Sequence, residues 1–174
     1  MGLIVEDGTG LSNSESYASV AEADAYHAAR GNTDWDAVDD KEAALRKATE
    51  HMLQTYTLRW SGYRAKSTQA LDWPRSQAER KNVLMGSAVE GIVYYESTVV
   101  PMEVKRACME LAVRAASAAL TADLDREVAS ESVSGAVSVT YVQGSRRQVK
   151  YAVVDMILEP LLARGSSGLG VVRA

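Results

Sequence analysis

A chain of 174 residues with a single cysteine and a formal net charge of −4 at pH 7 can bury a core as one domain, has no internal disulfide to form, and is poorly suited to broad, charge-driven nucleic-acid binding. No run of about eighteen apolar residues is present to span a membrane, and the N-terminus lacks the basic-then-apolar layout of a secretion signal. The expectation is a soluble protein made in a cytoplasm.

Leu3, Ile4 and Val5 form a short apolar run closed by Glu6-Asp7-Gly8-Thr9-Gly10, which reads as an edge strand or extended arm ending in a turn. Ser19 followed by Glu22 is a capping-box pattern and Gly31 a stop signal, so a first helix is expected over about 19–30. After a loop containing Trp35, Asp39 and Glu42 repeat the capping logic. Ala44, Leu45, Ala48, Met52 and Tyr56 then mark the apolar stripe of a second helix over about 40–58. Trp73-Pro74 forces an extended conformation at Trp73, which keeps Arg59–Ser76 from continuing that helix. Between Gln77 and Val99 the signals conflict. Gln77 to Leu84 is compatible with a helical turn or two, Gly86 and Gly91 break it, and Ile92-Val93-Tyr94-Tyr95 fits either a strand or a core-anchored loop.

The longest consistent element is a helix from Val100 to Ala122, with Pro101 at its first position and Glu103 near the positive end of its dipole. Val104, Cys108, Leu111, Ala112, Ala115 and Ala119 form its apolar face. Glu103, Arg106, Glu110, Arg114 and Ser117 lie opposite. Its many alanines allow a neighbouring helix to approach closely, and Cys108 on that face is expected to be buried and inert. Val137, Val139 and Tyr141 alternate with Ser138 and Thr140, so a β-hairpin is expected over about 127–133 and 136–142. Val153, Val154, Ile157, Leu158 and Leu161 mark a last helix that should kink or end at Pro160. The fold class that follows is mainly α: a helical bundle over 1–163 with a small β-hairpin, and an extended C-terminal arm over 164–174. The glycine- and serine-rich arm should order only on a partner.

Catalytic chemistry finds no footing in the pattern, so no catalytic residue, metal ligand or cofactor is nominated. His27 and His51 lie on different helices without clustered cysteines, and no strand-turn-helix elbow surrounds any serine. Gly165 to Gly170 lacks the flanking strand and helix of a phosphate loop. Glu22, Asp24, Asp39, Asp40 and Glu42 sit at helix starts, where capping and the helix dipole explain them. Basic and aromatic residues interleave only between Arg59 and Arg75, where Trp60, Tyr63, Arg64, Trp73 and Arg75 form a pattern able to stack single-stranded bases. The competing explanation is that Trp60 and Trp73 anchor an irregular loop onto the bundle. A second basic group, Arg146, Arg147 and Lys150, suits a channel lining or a subunit interface if the chain forms a ring.

Leu3-Ile4-Val5-Glu6-Asp7-Gly8-Thr9-Gly10, Ser16-Tyr17, Ala21-Glu22-Ala23-Asp24-Ala25-Tyr26, Gln69-Ala70-Leu71-Asp72-Trp73-Pro74-Arg75 and Val100-Pro101-Met102-Glu103-Val104-Lys105-Arg106-Ala107 occur in that order. Together they resemble a family of tailed-bacteriophage head-tail connectors, also called adaptor or head-completion proteins. Some members carry a label likening them to a DnaT-type protein that binds single-stranded DNA. The resemblance implies a helical subunit without enzyme activity that assembles with other copies into a ring, commonly of twelve, below the portal protein. Such a ring would extend the DNA channel, let packaged DNA pass without sequence-specific binding, and offer a tail or head-closure protein its attachment surface. It would be assembled in the host bacterial cytoplasm, reside in the virion and need no membrane. On this reading Arg164, Leu169, Val171, Val172 and Arg173 of the arm grip the portal, an added strand or groove-filling segment whose strength comes from avidity. The alternative is a replication protein that binds single-stranded DNA through Trp60, Tyr63, Arg64, Trp73 and Arg75.

Overall fold

A computed structural model describes residues 2–81, 92–121, 128–133, 137–141 and 149–163, the strands at 128–133 and 137–141 by their backbone. In chain order the elements are α1 (Val20–Ala28), α2 (Lys41–Tyr56), β1 (Tyr63–Arg64), β2 (Arg75–Ser76), α3 (Met102–Ser117), β3 (Val128–Val133), β4 (Val137–Tyr141) and α4 (Ala152–Leu158), which runs into a 3₁₀ turn at Glu159–Leu161. The protein is mainly helical with small two-stranded sheets.

The capping signals locate the first two helices. At α1 the Glu22 amide donates to Ser19 Oγ at 3.2 Å while the Ser19 amide donates to Glu22 Oε2 at 2.8 Å, the reciprocal box expected from the sequence. At α2 the cap is Asp40, not Asp39: its Oδ1 accepts from the Ala43 amide at 2.8 Å. Asp40 stands immediately before the helix, where its carboxylate reaches the unpaired amide of the third helical residue. Ala44, Leu45, Ala48, Met52 and Tyr56 are buried along α2, as their spacing requires.

α2 packs most extensively against α3, the central helix, which buries Val104, Ala107, Cys108, Met109, Leu111, Ala112 and Ala115. Removing a buried leucine such as Leu111 in favour of alanine costs about 2–5 kcal/mol in cores of this kind. The helix is shorter than Val100–Ala122: Pro101 caps it from outside, and it ends at Ser117 because Ala118 is extended (φ −154°, ψ 160°). Ala116, Ala118 and Ala119 have no side chain able to anchor another turn, and the extended backbone instead carries Leu120 into the core at 6 % exposure. Ala119, expected on the apolar face, is exposed as a result. Cys108 is fully buried, with its sulfur 3.4 Å from Thr49 Oγ1 and 3.8 Å from Ser16 Oγ, and burial raises its thiol pKa.

β3 and β4 pair antiparallel from Val128 opposite Tyr141 to Val133 opposite Val137, within a residue of the bounds the alternation gave. α4 ends at Leu158, two residues before Pro160, as the missing proline N–H dictates. Ile4 and Val5 run beside Glu15 and Ser16 in an isolated parallel bridge. Residues 77–81 are not helical: the Arg80 amide donates to the Val93 carbonyl at 2.7 Å and the Tyr95 amide to Ala78 at 2.9 Å, so Val93–Tyr95 is paired back onto 78–80. Among the described residues no helix is long and apolar enough to cross a membrane.

Candidate functional site: the Arg59 to Arg75 corner

The corner after α2 is built around one buried carboxylate. Asp72 has 1 % side-chain exposure. Its Oδ1 accepts from Arg64 Nε at 3.1 Å and the terminal guanidinium nitrogen at 2.8 Å, and its Oδ2 accepts from Thr57 Oγ1 at 2.8 Å and Trp60 Nε1 at 3.0 Å. Its backbone amide donates to the Tyr17 hydroxyl at 3.0 Å. Tyr17 is fully buried, and desolvation together with the nearby Asp72 charge raises its pKa well above the usual phenol range. Asp72 thereby joins the end of α2 and the β1 strand through its side chain, and the N-terminal segment through its backbone amide.

Gln69 and Arg75 complete the frame. Gln69 accepts from the Lys66 amide at 2.9 Å and donates to the carbonyls of Leu71 at 2.7 Å and Pro74 at 3.1 Å. Arg75, 6 % exposed, donates to the Ser61 carbonyl at 2.8 Å, Gly62 at 2.7 Å and Asp72 at 3.2 Å. Desolvation lowers the Arg75 pKa, offset in part by the negative Asp72. Trp73 is fully buried behind a cis Trp73-Pro74 bond, edge-on to Trp60 at 5.8 Å and to Tyr95 at 5.9 Å. Glu6 does for the Glu-Asp-Gly-Thr-Gly turn what Asp72 does here, accepting from the amides of Gly8, Gly10 and Leu11 and from Ser14 Oγ at 2.8–3.0 Å.

Of the five residues nominated for base contact, Trp60, Trp73 and Arg75 are therefore interior, and Arg64 is bound to Asp72. Tyr63 alone stands clear, at 70 % exposure. Lys66 and Arg59 are also exposed, the latter 4.9 Å from the Tyr56 ring and 3.8 Å from Asp155 on α4. Lys150 is exposed, while Arg146 and Arg147 lie outside the described residues. Arg164, Leu169, Val171, Val172 and Arg173, expected to form a portal-gripping arm, also lie outside them, but the residues just before them, Leu161–Ala163, are described. The Ala163 amide donates to the Arg59 carbonyl at 2.7 Å, the Ser61 amide and hydroxyl donate to the Leu161 carbonyl at 3.0 and 2.9 Å, and Lys81 Nζ reaches the Leu162 carbonyl at 2.6 Å. The last described residues, Leu161–Ala163, are thus fastened to this same corner.

Large apolar side chains are exposed at Leu58, 97 %, beside Arg59, and on α4 at Met156, 63 %, and Val153, 43 %. Leu58 escaped the sequence reading, although its position carried a signal. On the helix expected over about 40–58 it falls two residues past Tyr56, roughly 200° round from the buried stripe.

A family model described as "Putative DnaT-like ssDNA binding protein" matches residues 1–174, the whole chain. The chain belongs to this DnaT-like family. A comparison with curated proteins finds no match, nor does one with solved structures. The DnaT-like label is the part of the resemblance that the match carries; the head-tail role is not in the family's description. Within the DnaT-like chain, the Gln-Ala-Leu-Asp-Trp-Pro-Arg stretch that contributed to the resemblance is framework: Gln69, Leu71, Asp72, Trp73, Pro74 and Arg75 are all buried.

Proposed function

We propose that this DnaT-like protein is a structural adaptor of the tailed-phage head-tail junction. Copies assemble into a ring, twelve on the pattern of the resemblance, below the portal protein. The ring extends the DNA channel, the arm from Arg164 grips the portal, and the exposed face receives a tail or head-closure protein. The protein catalyses no reaction, is assembled in the host cytoplasm and resides in the virion.

The observation that supports this reading best is the inward use of the basic and aromatic side chains. Trp60, Trp73, Arg64 and Arg75 are committed to the corner's own frame, whereas Leu58, Tyr63, Val153 and Met156 stand in solvent. Exposed aliphatic groups of this size suit protein partners rather than phosphates. Deleting residues 165–174 tests it: the truncated chain should fold and melt as the full chain does yet fail to attach to DNA-filled heads. Normal attachment without the arm refutes the gripping role.

A second reading, a single-strand DNA-binding replication protein, is favoured by the family's description. In this fold it would have to rest on Tyr63 with Arg59 and Lys66, because the two tryptophans offer no free ring face.

A further inference from the structure

At the opposite end of α2 from the Arg59 corner lies a groove of about 450 Å³ between the 34–40 loop, the start of α2 and the last turn of α3. Val38, Ala43, Val113 and Ala116 are among its apolar lining, and Asp34 and Asp39, with the helix cap Asp40, line it against a single cation, Lys47. The three aspartates are exposed. The corner at the other end of α2 has the complementary character. Leu58 projects with 97 % exposure beside Arg59, whose guanidinium is held near the Tyr56 ring and Asp155 instead of sweeping freely. An apolar knob flanked by a cation thus matches an apolar groove flanked by carboxylates.

The two cannot meet within one molecule. α2 has 16 residues, so its ends lie about 24 Å apart, and the helix between them is fixed in the core. We propose that the groove seats the Leu58–Arg59 corner of a second copy of this chain, so that copies join head to tail. A heterologous contact of this kind leaves one free knob and one free groove on every pair. It propagates until the rotation between copies closes the chain into a ring. The proposal rests on the reading of the protein as a self-assembling subunit and assigns the surfaces through which it assembles.

The test uses the full chain in sedimentation velocity over a rising concentration series, with two substitutions at exposed positions. Leu58→Glu removes the knob, and Ala116→Arg fills the groove. Each variant alone should associate at least about tenfold more weakly than the parent chain, the loss expected when a central anchor is removed. Their equimolar mixture should form a discrete heterodimer, because the Ala116→Arg copy still offers its knob and the Leu58→Glu copy its groove. Raising the salt concentration should weaken the parent association. If both variants assemble like the parent, the interface lies elsewhere and this proposal fails while the ring reading stands. A parent chain that stays monomeric throughout also overturns it, and attachment to portal, measured separately, then decides the wider reading.

Discussion

Replacing Asp72 with asparagine changes almost no volume, so any loss of stability reports on charge and hydrogen bonding at the corner. The amide must turn its NH₂ toward one of two donor pairs. Facing Trp60 and Thr57 it would strand the indole N–H of a side chain that is only 5 % exposed. The ion pair is lost either way; facing Arg64 the NH₂ meets the guanidinium donors, but Arg64, with 39 % side-chain exposure, can swing toward water. The second arrangement is the cheaper. Its cost is the charge-assisted bonding lost, about 1.5–3 kcal/mol after partial rehydration of the guanidinium. For a chain of this size each kcal/mol moves the midpoint about 2–4 °C, so Asp72→Asn should melt roughly 5–10 °C below the parent. Asp72→Ala also leaves the Trp60 N–H unpaired and should lose about 3–5 kcal/mol, as when a buried pair loses one partner. Urea unfolding followed by tryptophan emission reads both values, since Trp60 donates to Asp72 and Trp73 follows it in the chain. A shift below about 2 °C for Asp72→Asn would refute the claim that this carboxylate organises the corner.

Three further outcomes follow from single features. Gly8 has φ +101°, and a Cβ there would lie 2.1 Å from the Thr98 carbonyl oxygen, so Gly8→Ala should lower stability by at least about 1–3 kcal/mol in a thermal melt. Cys108 should resist a thiol reagent in the native protein and react at once in denaturant, because burial raises its pKa and closes access. Burial lowers the pKa of both His27 and His51 below the ordinary value of 6.5. The unfolded chain therefore binds more protons near that pH, and stability, complete above about 6.5, falls as pH drops through the lowered values. His27 Nε2 lies 3.2 Å from the Met109 carbonyl and Nδ1 3.1 Å from the Asn32 side-chain amide, a pairing that suits the neutral ring. Melts between pH 7.5 and 5.5 should show that slope, and His27→Gln should flatten it.

The helices were legible because their determinants are local. Ser19 and Glu22 bracket one turn, the α2 stripe repeats every three or four residues, and Pro160 removes a single donor. The alternation from Val137 to Tyr141 was equally plain. What the sequence concealed was the corner. Asp72 looks like one more loop carboxylate until Thr57, Trp60 and Arg64, eight to fifteen positions away, converge on it. The interleaving of cations with rings reads the same whether the side chains face bases or carbonyls. Only the direction of each side chain separates the two, and tertiary contacts set it. The two-residue strands β1 and β2 escaped for the same reason: they follow from the Arg75 contacts to Ser61 and Gly62, not from any periodicity.

The most direct measurement is a titration of the intact chain with an oligothymidylate at low salt, following tryptophan emission and anisotropy of a labelled strand. A scaffold whose tryptophans are interior should show no saturable quenching and no rise in anisotropy at micromolar protein. Saturable quenching that weakens steeply with added salt and disappears in Tyr63→Ala would contradict the adaptor account and establish the corner as a surface for single-stranded DNA.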